Sequence, residues 1–176
     1  QWNEKDVEWM SKFIKFCDSR SFEIIIKIHP RYKTTSNELS ENKIIQIKKK
    51  CKNLKFTITY EQDISKLISA SDLIITDGSN IGIEAILAKK PLITANFESI
   101  DENDVVLKAI NETNSSIRIS KYENLEKSVM RIFRNEQEIS CGQQKIMDKY
   151  NFKNDGLTGK RIFNELISSG NSNKHD

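Results

Sequence analysis

Residues 71–93 read SDLIITDGSNIGIEAILAKKPLI, two apolar runs around the polar break Thr76-Asp77-Gly78-Ser79-Asn80. Asp72 to Thr76 is short, apolar and rich in isoleucine, the mark of a buried strand. Ser79 to Lys89 carries its apolar residues at helical spacing, and Pro91 to Ala95 is apolar again. A strand, a tight turn, a helix and a second all-apolar strand make a unit that buries its strands on both faces. Such strands belong to a parallel sheet with helices on each side.

The same alternation continues in both directions. Upstream, Glu4 to Cys17 places Val7, Met10, Phe13, Ile14 and Cys17 at helical spacing, and Phe22 to Ile28 is a strand that His29-Pro30 stops. A polar loop to Asn37, a helix to Cys51, a strand from Leu54 to Thr59 and a short helix capped by Asp63 lead to residue 71. Downstream, Val105 to Asn111 reads as helix and Ser116 to Ile119 as strand. Helices then follow over Glu123 to Arg134, Glu136 to Tyr150 and Leu157 to Ile167. The expected fold is α/β, a doubly wound, Rossmann-like parallel sheet over residues 1–168, with a flexible polar tail at 169–176.

Composition sets limits on function. With 28 basic against 25 acidic residues the formal charge is +3, and lysines alternate with acids as on ordinary solvated helix faces, so no nucleic-acid partner is expected. Cys17, Cys51 and Cys141 stand apart, with no C-x-x-C pair and no histidine at ligand spacing; they read as packing or surface thiols in a reducing compartment, and no metal is expected. No run approaches a membrane span and no signal-peptide pattern opens the chain, which points to the cytoplasm. Gln1 stands inside a helical pattern, so the chain reads as a piece of something longer.

In doubly wound sheets ligands bind beyond the carboxyl ends of the strands. Two polar clusters occupy such positions here, His29-Pro30-Arg31 and Asp77-Gly78-Ser79-Asn80. Gly78 permits a sharp turn, Ser79 can cap the helix, and the N–H groups of Asn80 and Ile81 at the helix start favour an anion. Gly82, without a side chain, would let a phosphate approach the backbone. A plain capped helix with no ligand fits the turn equally well, and a histidine ending a core strand is often structural. Glycine-rich phosphate loops of the G-x-G-x-x-G or G-K-[ST] kind are absent.

Three stretches carry a family resemblance: KIHPR at Lys27–Arg31, DISKLISASDLIITDGSNIGIEAILAKKPLI at Asp63–Ile93, and YNFKNDGLTGKRIFNELI at Tyr150–Ile167. Together they resemble the carboxyl-terminal, donor-binding half of GT-B transferases of bacterial surface polysaccharide synthesis. The CDP-glycerol glycerophosphotransferases of teichoic acid synthesis and the His-Pro motif capsular glycosyltransferases come nearest. The resemblance implies that His29 contacts the donor's phosphates and assists departure of the nucleotide. Ser79 and Asn80 would hold the phosphates at the helix start and Glu84 the ribose hydroxyls, while Arg31, a donor suited to phosphate oxygens beside His29, and Asp77 and Gly78 of the turn are read as donor-binding from their own clusters. Asp155-Gly156 matches a structural feature ahead of the last helix. The chain departs from the pattern where Asn80 replaces a second serine, where Gly78 replaces an aromatic residue, and where Thr76 stands at a position that is acidic in many retaining enzymes.

The resemblance further implies a CMP-, CDP- or UDP-linked sugar or alditol as substrate and no cofactor. It implies an acceptor-binding amino-terminal half absent from this chain, so that the chain alone binds nucleotide without transferring anything. It leaves room for peripheral association of the full-length protein with the inner face of the membrane. The alternatives are a nonhydrolysing UDP-N-acetylglucosamine 2-epimerase-like domain, whose Ser-Gly-Gly run is missing from DGSNIG, and a non-catalytic flavodoxin-like module. A receiver domain would need an acidic pair where His29-Pro30 stands.

Overall fold

A computed structural model describes residues 4–28, 38–76, 79–95, 105–134, 137–150, 153 and 155–172. Helices and strands alternate from α1 (Glu4–Ser19) through β1 (Ile25–Lys27), α2 (Glu38–Lys50), β2 (Thr57–Thr59), α3 (Ile64–Ala70) and β3 (Ile74–Thr76). They continue with α4 (Ile81–Leu87), β4 (Leu92–Ala95), α5 (Val105–Glu112), β5 (Ile117–Ile119), α6 (Glu123–Arg134), α7 (Gln137–Tyr150) and α8 (Thr158–Ser172).

All described strand pairs are parallel, as apolar strands between helices require. They fall into two hydrogen-bonded groups, β1-β2 and β3-β4-β5. Ile26 lies opposite Ile58 in the first, and Ile75 opposite Ile93 in the second. The expectation of one continuous sheet is thus met in coarser form, as an α/β fold with parallel strands compatible with a Rossmann-like arrangement. Among the described residues the two groups are joined by side chains: Ile24, just ahead of β1, packs against the clusters of both.

The strand β4 shows why the sheet needs helices on both faces, since all four of its residues are buried. Ile93 and Ala95 face a cluster with Phe13 and Cys17 of α1 and with Leu125, Val129 and Ile132 of α6. Leu92 faces the other way, into Ala85 and Ile86 of α4, Ile110 of α5, and Ile146 and Met147 of α7. The period of two along a strand divides one run of residues between two cores. Burying one such side chain contributes roughly 1.5–3 kcal/mol.

Helix α1 also serves two cores. Phe13 and Cys17 point to the β4 cluster, while Val7 and Ile14 join Ile26 and Ile28 around β1 with Ile44 and Ile47 of α2 and Cys51 just beyond it. A chain of rings fastens the helix to α6. Tyr122, Trp9, Phe13, Phe16, Phe22 and Phe133 follow one another, with centroids 4.7 Å apart at Trp9–Tyr122 and 5.0 Å at Phe22–Phe133. Each ring pair adds about 0.5–1.5 kcal/mol beyond its buried area. The cysteines divide as read, with Cys17 and Cys51 buried and Cys141 exposed. Burial pushes the Cys17 thiol up to about 11.

Several boundaries differ from the sequence reading. The first strand begins at Ile25, not Phe22, because α1 runs to Ser19 and then closes on itself. The Phe22 N–H reaches the Cys17 carbonyl at 2.8 Å and the Ser21 N–H reaches Asp18 at 3.0 Å, with Ser21 at φ 58°. This left-handed closure recurs at the end of α4, with Lys89 at φ 56°, and at the end of α5, with Asn114 at φ 54°. None of the three positions is glycine, so the usual end signal is missing from the sequence there. Asp63 stands at the start of α3, yet its carboxylate makes no capping bond and takes the Ser65 hydroxyl and Lys66 instead. The last helix runs to Ser172 rather than ending at Ile167. Its side chains Ile162, Phe163, Leu166 and Ile167 stay at least half exposed.

One glycine is fixed by contact. A Cβ at Gly142 of α7 would stand 2.3 Å from the Thr113 carbonyl oxygen and 2.5 Å from that of Asn114, both backbone atoms that cannot turn aside. Next to it, the buried Gln143 donates its amide to the Lys90 carbonyl at 2.8 Å. Gly142→Ala is expected to destabilise the fold by about 1–3 kcal/mol, as overpacking does. Lys89→Gly is expected to stabilise it by about 1 kcal/mol, by removing the left-handed strain. Urea unfolding of the two variants against the parent checks both signs.

Candidate functional site

The turn after β3 is organised by two hydroxyls. Thr76 Oγ1 and Ser79 Oγ lie 3.3 Å apart, and the Ser79 N–H donates to Thr76 Oγ1 at 3.4 Å. The Ser79 hydroxyl in turn accepts the Ile81 N–H at 3.3 Å, while its carbonyl accepts the Gly82 N–H at 2.9 Å. Ser79 is therefore the working cap of α4. Asn80 already has helical backbone angles, φ −54° and ψ −20°, and its side chain takes no part in capping. The part played by Thr76 as partner of the cap lies beyond the sequence reading, which has it as the end of a strand and as a departure from the acidic residue of many retaining enzymes. Two hydroxyls three residues apart across a strand-to-helix turn are the signal that could have found it.

Beyond the cap, burial sorts the helix into faces. Gly82, Ala85 and Ile86 are buried, whereas Asn80, Glu84 and Ala88 form one exposed stripe at intervals of four. The predicted site residues Asn80 and Glu84 thus share a face one turn apart, with the Ser79 hydroxyl at its amino-terminal end. His29, Arg31, Asp77 and Gly78 lie outside the described residues.

Two expectations about this turn change. The Ile81 N–H, read as open to an anion, is engaged by Ser79 Oγ. Gly82 does not face a ligand: a Cβ there would lie 3.0 Å from Ile110 Cδ1, 3.6 Å from Leu92 Cδ2 and 3.8 Å from Thr76 Cγ2. Its missing side chain lets α4 settle on the sheet and α5. The reason is geometric, since a residue three after the cap turns toward the core that Ala85 and Ile86 also face.

Asp155 and Gly156 form a compact start to α8. Gly156 takes φ 71°, and the Asp155 carboxylate accepts the Leu157 N–H at 3.0 Å and Arg161 Nη1 at 2.9 Å. The Leu157 N–H and the Arg161 guanidinium hold the Asp155 carboxyl below the usual range. Among the described residues no group of three or more His, Cys, Asp or Glu side chains is placed to hold a metal ion. Nor, among the described residues, is any helix long and apolar enough to cross a membrane.

With this geometry in place, residues 6–168 match the family model of CDP-glycerol:poly(glycerophosphate) glycerophosphotransferases. The chain belongs to this family. The match runs from α1 well into α8 and so takes in the β3–α4 turn together with the Asp155-Gly156 start of the last helix. It makes the chain part of a transferase family with a nucleotide-linked donor. Comparison with curated proteins finds no match.

Ser79→Ala is expected to cost about 1 kcal/mol, the loss of a cap. Combined with Thr76→Val it should cost less than the two single changes added, because both remove one hydroxyl pair; urea unfolding of the four-member cycle reads this coupling. For Asp155 the folded value is lowered, so its contribution is full above the unfolded value of about 3.9 and is lost as pH falls through the lower folded one. Amide-exchange protection at Leu157 should drop in wild type over that acid window, and in Asp155→Asn should be low already at neutral pH.

Proposed function

We propose that this chain is a donor-binding domain of GT-B type, which presents a CDP-linked alditol for transfer to a growing surface polymer. The reading rests above all on the family match across residues 6–168, which brings the hydroxyl-organised turn after β3 into a transferase with a nucleotide-linked donor.

The chemistry asks little covalent work of the protein. An acceptor hydroxyl attacks the phosphorus that carries the alditol, a new phosphate ester forms, and the bridging P–O bond breaks so that CMP leaves with the bridging oxygen. Catalysis of such a step is chiefly charge neutralisation and positioning. In the proposed arrangement Ser79 and Asn80 hold the phosphates at the start of α4, together with Arg31, Asp77 and Gly78 of the two sequence clusters. His29 contacts the diphosphate and gives a proton to the departing CMP oxygen. Glu84, exposed on the same stripe as Asn80, accepts hydrogen bonds from the ribose hydroxyls. A carboxylate suits that task because two vicinal hydroxyls can both donate to it.

Titration of the chain with CMP, CDP, UMP and UDP tests the reading, with CDP expected to bind most tightly. A preference for UDP would shift the assignment to a UDP-sugar enzyme, and no nucleotide binding at all would overturn it. His29→Ala is expected to weaken CDP binding by about 1.5–3 kcal/mol, the range for a hydrogen bond to a charged group. In wild type the 2′-deoxynucleotide should bind more weakly than the ribonucleotide, and in Glu84→Gln the two should bind alike. An equal preference in both proteins would remove Glu84 from the site.

A further inference from the structure

The alternation of lysines with acids read from the sequence fails over one segment, which carries more than the chain's whole net positive charge. Residues 43–55 read KIIQIKKKCKNLK, with Lys43, Lys48, Lys49, Lys50, Lys52 and Lys55 and no acidic residue. Setting these six aside leaves 22 basic residues against 25 acidic, so the remainder of the chain is net negative by three while this segment carries +6. The segment covers most of α2 and the turn into β2, and all of its lysines except the half-buried Lys43 are exposed. The end of a helix favours cations, which accounts for two or three lysines in the last turn. It does not account for Lys52 and Lys55 beyond the helix, or for the lack of any acid in between.

Two of these lysines, Lys48 and Lys52, line a groove. An open depression of about 470 Å³ is lined by Lys48, Cys51, Lys52, Leu54, Phe56, Thr57 and Ile58, so that two amines share it with apolar side chains. Among the described acidic residues near the cluster, two have partners of their own. Glu8 of α1 feels Lys50 but is held by Lys12 at 2.8 Å, and Asp18 accepts the Lys55 backbone N–H at 3.3 Å. The groove lies at the amino-terminal end of β2, whereas the turn with Ser79 follows the carboxyl end of β3. It is therefore no part of the candidate donor site.

We propose that this lysine groove is a second, non-catalytic binding site, which holds a linear phosphodiester chain of the poly(glycerophosphate) kind. The inference rests on the transferase reading for the identity of the polymer alone. A flexible chain with one negative charge per repeat can place its phosphates on mobile amines, and the glycerol carbons between them can lie on Leu54 and Phe56. Lysine suits such a ligand because it acts as an orientable point charge and demands no fixed geometry. Single-stranded nucleic acid would call for exposed aromatic platforms beside the charges, and Phe56 is half-buried. A membrane surface would call for a row of apolar side chains to insert, whereas Ile45 is the one large apolar side chain of α2 that is exposed among the described residues.

The test is binding of a defined poly(glycerophosphate) chain to the full 176-residue protein at several salt concentrations. The arms are wild type, the variant Lys48→Gln/Lys49→Gln/Lys52→Gln/Lys55→Gln, and the matching Lys→Arg set. Wild-type affinity should fall steeply with salt. The Gln set should bind at least tenfold more weakly, with the slope of log K against log salt reduced by about 0.7 for each phosphate that no longer meets an amine, and the Arg set should restore binding. Unchanged polymer binding by the Gln set would overturn the inference. So would equal or tighter binding of phosphatidylglycerol vesicles, or of an oligodeoxynucleotide of the same charge. CDP titration of the same proteins separates the two readings, since the lysine changes should leave nucleotide binding unaltered. A protein that takes the polymer through these lysines but binds no nucleotide would sink the donor assignment and leave this one standing.

Discussion

Helix α1 is the constraint on which the rest of the structure depends. Its Phe13 and Cys17 close one core and its Val7 and Ile14 close another, so one rigid rod sets how two groups of strands meet. Between those groups the described residues show packing and no shared ladder. Packing against a common helix can hold two sheets together because protein interiors are dense and nearly incompressible. A small shift of α1 would then be felt in both cores at once. The ring chain from Tyr122 to Phe133 limits such shifts by fastening the helix to α6.

The candidate donor site inherits its position from the same packing. Gly82 allows α4 to lie close to Leu92 and Ile110, and that approach brings the hydroxyls of Thr76 and Ser79 together at the end of β3. Polar groups of the turn thus stand where buried apolar groups put them. The first turn of α4 is also largely satisfied from within, since the Ile81 N–H is taken by Ser79. Charge recognition would then depend on side chains more than on bare backbone amides.

Much of the fold is legible in the sequence because burial on both faces leaves a direct mark there. Short runs such as Leu92–Ala95, apolar but for Thr94, read as strands covered by helices on each side, while which helices cover them, α1 and α6 on one face, shows only in the folded chain. Helix ends are harder to read, because Ser21, Lys89 and Asn114 adopt a backbone conformation that ordinarily announces itself through glycine. Gly82 misleads for the opposite reason: a glycine near a suspected anion site looks functional until its neighbours are known. Ser79 reads correctly as a cap, whereas its dependence on Thr76 shows only in the folded chain. The lysine cluster is visible as composition, yet it is diluted by the near balance of charge over the whole chain.

Gln143 has a kinetic side. Its amide reaches back to the Lys90 carbonyl at 2.8 Å and the Ser115 carbonyl at 3.4 Å, next to the starts of β4 and β5. These bonds join residues 53 and 28 positions apart in the chain, and neither can form before α7 is in place. Until α7 arrives, the two neighbouring strands lack the clamp that holds their starts level. On a ribosome, where the amino-terminal part emerges first, β3, β4 and β5 would stand ready for some time with their alignment still provisional. The sheet becomes final when a helix made well after it docks.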